Sequence, residues 1–145
     1  MLSVVKSLAL QGLDGRILSI EVDISCGLPC FEIVGLPDTS IKEAKERVKT
    51  AIRNTGVEFL SRRIVVNLAP ADIRKEGASL DLPIALGILI ASGEIENNYL
   101  NTFLEESIFV GELSLDGFLR PVCGILPLVR EAAHCGIKKC IVPLE

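Results

Sequence analysis

A chain of 145 residues is the size of one compact domain, and a hydrophobic fraction of 49% allows a core that needs no staples. A formal net charge of −4, with both signs scattered along the chain, argues against a dedicated nucleic-acid-coating domain, which is usually basic. It leaves room for a small local basic patch.

The first segment, Val4 to Leu10, alternates and predicts a strand. Gly12-Leu13-Asp14-Gly15 supplies a turn. Arg16 to Ile24 then alternates again, with Ile17, Leu18, Ile20, Val22 and Ile24 against Arg16, Ser19, Glu21 and Asp23, so a hairpin with one buried face is expected. Cys26-Gly27-Leu28-Pro29 breaks the pattern before a third strand, Phe31 to Val34. After Gly35-Leu36-Pro37, Asp38 or Thr39 can cap a helix, because a side-chain oxygen there accepts an orphan backbone N–H. Ile41, Ala44, Val48, Ala51 and Ile52 recur at helical spacing, and Asn54-Thr55-Gly56 ends the run.

Arg63 to Leu68 predicts a fourth strand, and Ala69 to Ser79 a polar loop. Leu80 to Ser92 is apolar almost all round and predicts a central buried helix. Glu94 to Ser107 is polar and is expected to be irregular. Ile108 to Leu113 predicts a strand, Leu115-Asp116-Gly117 a turn, and Phe118 to Pro121 its return. A helix is expected over Ile125 to His134 and a last strand over Lys139 to Val142. The order β-β-β-α-β-α-β-β-α-β is a mixed α/β arrangement of the α+β kind with a mixed sheet, in a single domain over 1–145.

Met1 to Lys6 lacks the basic stretch and apolar run of a secretory signal. The longest apolar run, Leu80 to Ala91, is short for a bilayer and contains Asp81, Pro83 and Gly87. A cytoplasmic protein without a membrane partner is the expectation. Five cysteines with no export signal fit reduced thiols. Cys26 and Cys30 are four apart, and Cys123, Cys135 and Cys140 lie elsewhere. This spacing departs from that of a zinc site, so core or incidental thiols are expected. No G-x-x-x-x-G-K-[ST] phosphate loop occurs, so no nucleotide or other cofactor is expected to bind by that route. The stop just after a strand suggests a piece of something longer.

Two segments carry a family resemblance. Asn67-Leu68-Ala69-Pro70-Ala71-Asp72-Ile73-Arg74-Lys75-Glu76-Gly77-Ala78-Ser79-Leu80-Asp81-Leu82-Pro83-Ile84-Ala85 resembles the N-terminal domain of the Mg-chelatase-like AAA+ ATPases of the ComM/YifB type. Val110 to Gly124 resembles the same family, as do Gly12 to Gly15, Glu21 to Ile24 and Phe31 to Asp38. The resemblance implies the fold shared by the proteolytic domain of Lon and by domain two of ribosomal protein S-five. It further implies an AAA+ module beyond this chain that uses ATP and Mg and assembles as a hexamer. For ComM-type members it implies DNA branch migration during uptake and recombination. Magnesium insertion into porphyrins, which the family name suggests, finds no porphyrin or metal site here.

In Lon-type peptidases the nucleophilic serine sits in a K-D-G-P-S-A-G run. Lys75-Glu76-Gly77-Ala78-Ser79-Leu80-Asp81 is similar to it and puts Ser79 at the nucleophile position. The Lon dyad lysine lies in a G-G-L-K-E-K run ahead of A-A-H-x-G-G-I-K. Here Cys123-Gly124-Ile125-Leu126-Pro127-Leu128 precedes Ala132-Ala133-His134-Cys135-Gly136-Ile137-Lys138, so Leu126 stands at the lysine position. A serine hydroxyl is a poor nucleophile until a base takes its proton. Leu126 has no lone pair to take it with. Lys75 and His134 match Lon positions that are not the dyad.

The expected reading is therefore a non-catalytic domain that contacts its own AAA+ module, neighbouring subunits or DNA. A Ser79-dependent peptidase with an unexpected base is the competing reading, and a DNA-binding module a third. Ser79 itself is expected to cap the helix that follows it, Asp81 to favour that helix's dipole, and Gly77 to make a tight turn. His134 is expected against the last helical carbonyls. Arg62, Arg63, Arg74 and Lys75 form either a solvated rim or an edge that contacts DNA phosphates or a partner.

Overall fold

The computed structural model describes residues 1–12 and 14–144. Leu13, in the middle of the first expected turn, therefore lies outside the described residues. Strand β1 (Leu2–Gln11) pairs antiparallel along its whole length with strand β2 (Asp14–Ser25), from Leu2 opposite Asp23 to Gln11 opposite Asp14. Strand β3 (Cys30–Val34) leads into helix α1 (Thr39–Asn54), which crosses over to strand β4 (Arg63–Ala69). β4 runs antiparallel to β2 and parallel to β3, giving the order β1-β2-β4-β3. Parallel neighbours need such a crossover, because no tight turn brings the chain back in the same direction.

The period-two pattern of β2 and β4 places Leu18, Ile20, Val22 and Ile24 beside Ile64, Val66 and Leu68 on one buried face. α1 buries Ile41, Ala44, Val48, Ala51 and Ile52, as its spacing predicts. Asp38 caps it, accepting from the Ile41 N–H at 2.8 Å.

Helix α2 (Asp81–Ala91) lies across β1 and β2, buried on most sides. Gly87 permits this approach: a methyl group there would sit 2.5 Å from Val22 Cγ2. On β1 the inward positions Ser3 and Ser7 are polar, and each is satisfied. Ser3 Oγ donates to the Gly87 carbonyl and Ser7 Oγ to the Phe109 carbonyl, both at 2.7 Å.

The remainder of the chain departs from expectation in two places. Residues 94–107, expected to be irregular, contain helix α3 (Leu100–Glu106), which buries Leu104 and sets Phe103 edge-on to Phe109 at 6.0 Å. Ile108 to Leu113 is not one strand. β5 (Ser107–Phe109) pairs parallel with β8 (Lys139–Ile141), whereas β6 (Glu112–Leu113) pairs antiparallel with β7 (Leu119–Arg120). The break falls at Val110-Gly111: Val110 N still donates to the Ile141 carbonyl of β8 at 3.0 Å, whereas the Gly111 carbonyl turns to the first turn of α2. Helix α4 (Ile125–His134) closes a second core of Leu8, Ile108, Val110, Leu128 and Ala132. The fold remains mixed α/β, and no helix is long and apolar enough to cross a membrane among the described residues.

Candidate functional site

The segments that carry the family motifs meet at the N-terminus of α2. Ser79, expected to cap this helix, does not. The cap position is Leu80, in helical conformation and without a side-chain bond. The physical reason lies in the partners of the first turn. Leu82 N donates to the Gly111 carbonyl at 3.0 Å, Pro83 has no N–H, and Ile84 N already reaches the Leu80 carbonyl. Gly111 N donates in turn to the Ser79 carbonyl at 2.8 Å, so both its backbone groups are engaged. A methyl group at Gly111 would approach Leu119 Cδ2 to 2.8 Å.

Lys75 corrects the sequence expectation most clearly. Placed there among candidate DNA or partner contacts, its side chain is fully buried. Nζ donates to the carbonyls of Gly35, at 2.7 Å, and Pro70. Its backbone is bound as well, Lys75 N to Leu36 O at 3.1 Å and Asp38 N to Lys75 O at 3.0 Å. Gly77, in the left-handed conformation its expected turn requires (φ +82°), donates to Asp38 Oδ2 at 2.9 Å. Asp38 thus caps α1 with one carboxylate oxygen and holds this loop with the other. Burial pushes the Lys75 ammonium below its ordinary pKa, and the charge of Asp72 opposes that shift.

Asp81 does more than complement a helix dipole. Fully buried, it takes two bonds from Arg47 of α1, Nε to Oδ2 at 2.7 Å and Nη2 to Oδ1 at 3.1 Å. The Leu113 N–H donates to Oδ2 at 3.1 Å, and Arg47 Nη2 also reaches the Ser40 carbonyl at 2.7 Å. Burial pushes the Asp81 carboxyl up from its usual range, against the pull of Arg47 and the Leu113 N–H. The same hydrogen bond with Asp81 raises Arg47. One carboxylate therefore ties α1, α2 and β6 together.

Beside this junction lies a cleft of about 420 Å³, walled by Leu8 to Gln11 of β1, Arg74 to Glu76, Ser79, Leu80, Cys123 and Leu128. Ser79 lines it, and its hydroxyl makes no hydrogen bond to any of the described residues. Leu126 does not close the cleft: it is 79% exposed on the first turn of α4, and Cys123 and Leu128 form that wall. His134 is 62% exposed and lies beside Glu131 at 3.7 Å, rather than on the last carbonyls. The five cysteines are free thiols, Cys26, Cys123 and Cys135 exposed, Cys30 and Cys140 half-buried. Among the described residues no three His, Cys, Asp or Glu side chains gather as a metal cluster.

The four cations grouped by sequence are not grouped in space. Arg62 and Arg63 are exposed where β4 begins, whereas Arg74 lies past its other end. A strand of that length spans roughly 20 Å at about 3.3 Å per residue. Arg63 leans over Gly27, and Arg74 faces Glu76 at 3.9 Å in solvent. Arg62 borders a different cleft with Lys49 and Arg53, which sequence reasoning did not select.

The family described as subunit ChlI of Mg-chelatase matches residues 20–145. Competence protein ComM of Haemophilus influenzae is 45% identical over 131 residues, which cover 90% of this chain and 25% of that protein. YifB of Escherichia coli is 45% identical over 137 residues, 94% of this chain and 26% of its own. Lon protease 2 of Bacillus subtilis is 30% identical over 159 residues, 98% of this chain and 28% of its own. The chain spans about a quarter of the length of these relatives.

Proposed function

The chain belongs to the family of the Mg-chelatase subunit ChlI, and from that membership we propose that it is the Lon-like domain of an AAA+ ATPase and performs no hydrolysis itself. One observation carries this reading: Ser79 lines the cleft, no base among the described residues is hydrogen-bonded to its hydroxyl, and position 126 offers an exposed leucine. General-base catalysis needs a proton acceptor within hydrogen-bonding reach of the hydroxyl. The Lys75 amine is held by two carbonyls instead. The domain then serves its parent by contact, with its own AAA+ module, with neighbouring subunits of a hexamer, or with DNA. The parent uses ATP and Mg in its AAA+ module and acts in the cytoplasm. Similarity to a competence protein supports a parent that drives branched DNA during uptake and recombination.

A fluorophosphonate probe for activated serines tests the non-hydrolytic part. No labelling and no cleavage of a fluorogenic casein are expected. Labelling of the wild type that disappears in Ser79→Ala would establish the peptidase reading instead. For the parent, ATP-dependent movement of a branched DNA junction by the full-length protein is expected, and a protein that hydrolyses ATP without moving the junction would remove that role.

A further inference from the structure

At the opposite end of β4 from Ser79 lies a smaller cleft, of about 160 Å³. Lys49 and Arg53 reach it from the C-terminal half of α1, one helical turn apart, and Arg62 from the segment entering β4. Phe31 and Phe59 line it as a stacked pair, ring centroids 5.7 Å apart and 22° from parallel. Lys49 Nζ stands 5.8 Å from the centre of the Phe59 ring.

Among the described residues no acidic side chain lines this cleft. Among the described residues Lys49, Arg53 and Arg62 have no ion-pair partner, a state they share with Lys6, Arg16, Lys42, Arg63, Arg120 and Arg130; what sets the three apart is that they line one cleft. The α1 dipole accounts for Arg53 in the last turn, but not for Lys49 and Arg62. On a chain of net charge −4, unpaired cations converging from separate elements make a local positive potential that attracts an anion. Guanidinium groups suit phosphate oxygens, which they bind two at a time. A water takes up about 30 Å³ in the liquid, so the cleft has room for one phosphate group. The half-buried aromatic pair gives the cleft wall a π surface, the kind on which bases stack. A duplex keeps its base faces inside, so this surface favours an unpaired strand.

We propose that this cleft binds the backbone of single-stranded nucleic acid, with Arg53 and Arg62 on a phosphate, Lys49 on its neighbour, and a base against the Phe31–Phe59 pair. This extends the DNA-working reading of the parent. Its test uses this chain alone without ATP, so the two fail separately.

Fluorescence anisotropy with a labelled oligothymidylate, over a salt series, supplies the measurement. The wild type is expected to bind the oligonucleotide more tightly than a duplex of equal length. Lys49→Ala/Arg53→Ala/Arg62→Ala should bind roughly tenfold or more weakly, with a log–log salt slope shallower by about 2, at about 0.7 per lost single-strand contact. Arg53→Lys/Arg62→Lys, which keeps the charges, should retain the slope. Arg130→Ala, exposed on α4 and outside the cleft, should change nothing. The proposal is overturned by a wild type that does not bind, by a folded triple variant with unchanged affinity and slope, or by polyphosphate or duplex competing as well as the oligothymidylate.

Discussion

Arg47 and Asp81 stand 34 positions apart in the chain, yet their side chains lock face to face through Nε–Oδ2 at 2.7 Å and Nη2–Oδ1 at 3.1 Å. The carboxylate is buried and the guanidinium nearly so. Breaking one side of such a pair leaves the other charge stranded. Arg47→Met or Asp81→Ala should therefore cost about 3–5 kcal/mol in urea unfolding. Replacing both by apolar residues of similar volume should cost less than either single change, because no bare charge remains. Single variants within 1 kcal/mol of wild type would show that this pair does not hold α1 to α2.

The pair also predicts a pH dependence. In Arg47→Met, Asp81 loses its cation, and its folded pKa, already raised by burial, rises further. The unfolded value stays ordinary, about 3.9. A raised folded pKa contributes stability below the unfolded value and loses it as pH rises through the folded value. The deficit of Arg47→Met against wild type should accordingly be larger at about pH 8 than at about pH 5. Urea midpoints of both proteins at both pH values check this, and a deficit that grows on acidification would refute it.

Lys75 gives a second test of buried polarity. Lys75→Met keeps the aliphatic stem but leaves the Gly35 and Pro70 carbonyls without their donor. A loss of about 1–3 kcal/mol is expected, since an unpaired buried acceptor costs more than the net value of the bond it lost. The lowered pKa of Lys75 opposes this loss, because removing the amine also removes the cost of burying its charge. Thermal unfolding measures the balance, and a variant more stable than wild type would mean that charge burial dominates.

Gly35 and Gly56 both have positive φ, +102° and +90°, but differ in surroundings. A methyl group at Gly35 would lie 2.2 Å from the Leu68 carbonyl oxygen, a backbone atom that cannot swing aside, whereas at Gly56 nothing lies within 4 Å. Gly56→Ala should cost about 1–2 kcal/mol for the left-handed backbone alone. Gly35→Ala should cost clearly more, because it also displaces β4. Equal losses, read from denaturation midpoints, would contradict the close approach.

Local pattern in the sequence was enough to reveal α1. Its apolar positions repeat at helical spacing and Asp38 precedes them, so both the buried face and the cap were legible. The hairpin of β1 and β2 was legible for the same reason, since alternation and a turn are short-range signals. Lys75 was not, because a lysine in a polar, glycine-containing run reads as solvated. Only the return of Gly35 and Leu36 over the loop makes its position interior. Asp81 was read as a helix-start acid, as its place in the chain suggests. Nothing local singles out Arg47 as its partner in a helix crowded with charges. Leu100, Phe103 and Leu104 do carry helical spacing, but over too few residues to stand out from a polar stretch. The cleft of Lys49, Arg53 and Arg62 was hidden because it is assembled from a helix and the entry to a strand.

The exposure of Leu126 bears on how this fold relates to its hydrolytic relatives. A lysine substituted at that position would start from a side-chain site facing bulk water on the outside of α4, where an amine keeps its ordinary affinity for protons. Recovering a working dyad would also require reorienting the first turn of that helix toward the cleft. On the proposed non-hydrolytic reading, the barrier between this chain and a peptidase is one of backbone placement as well as of side-chain identity.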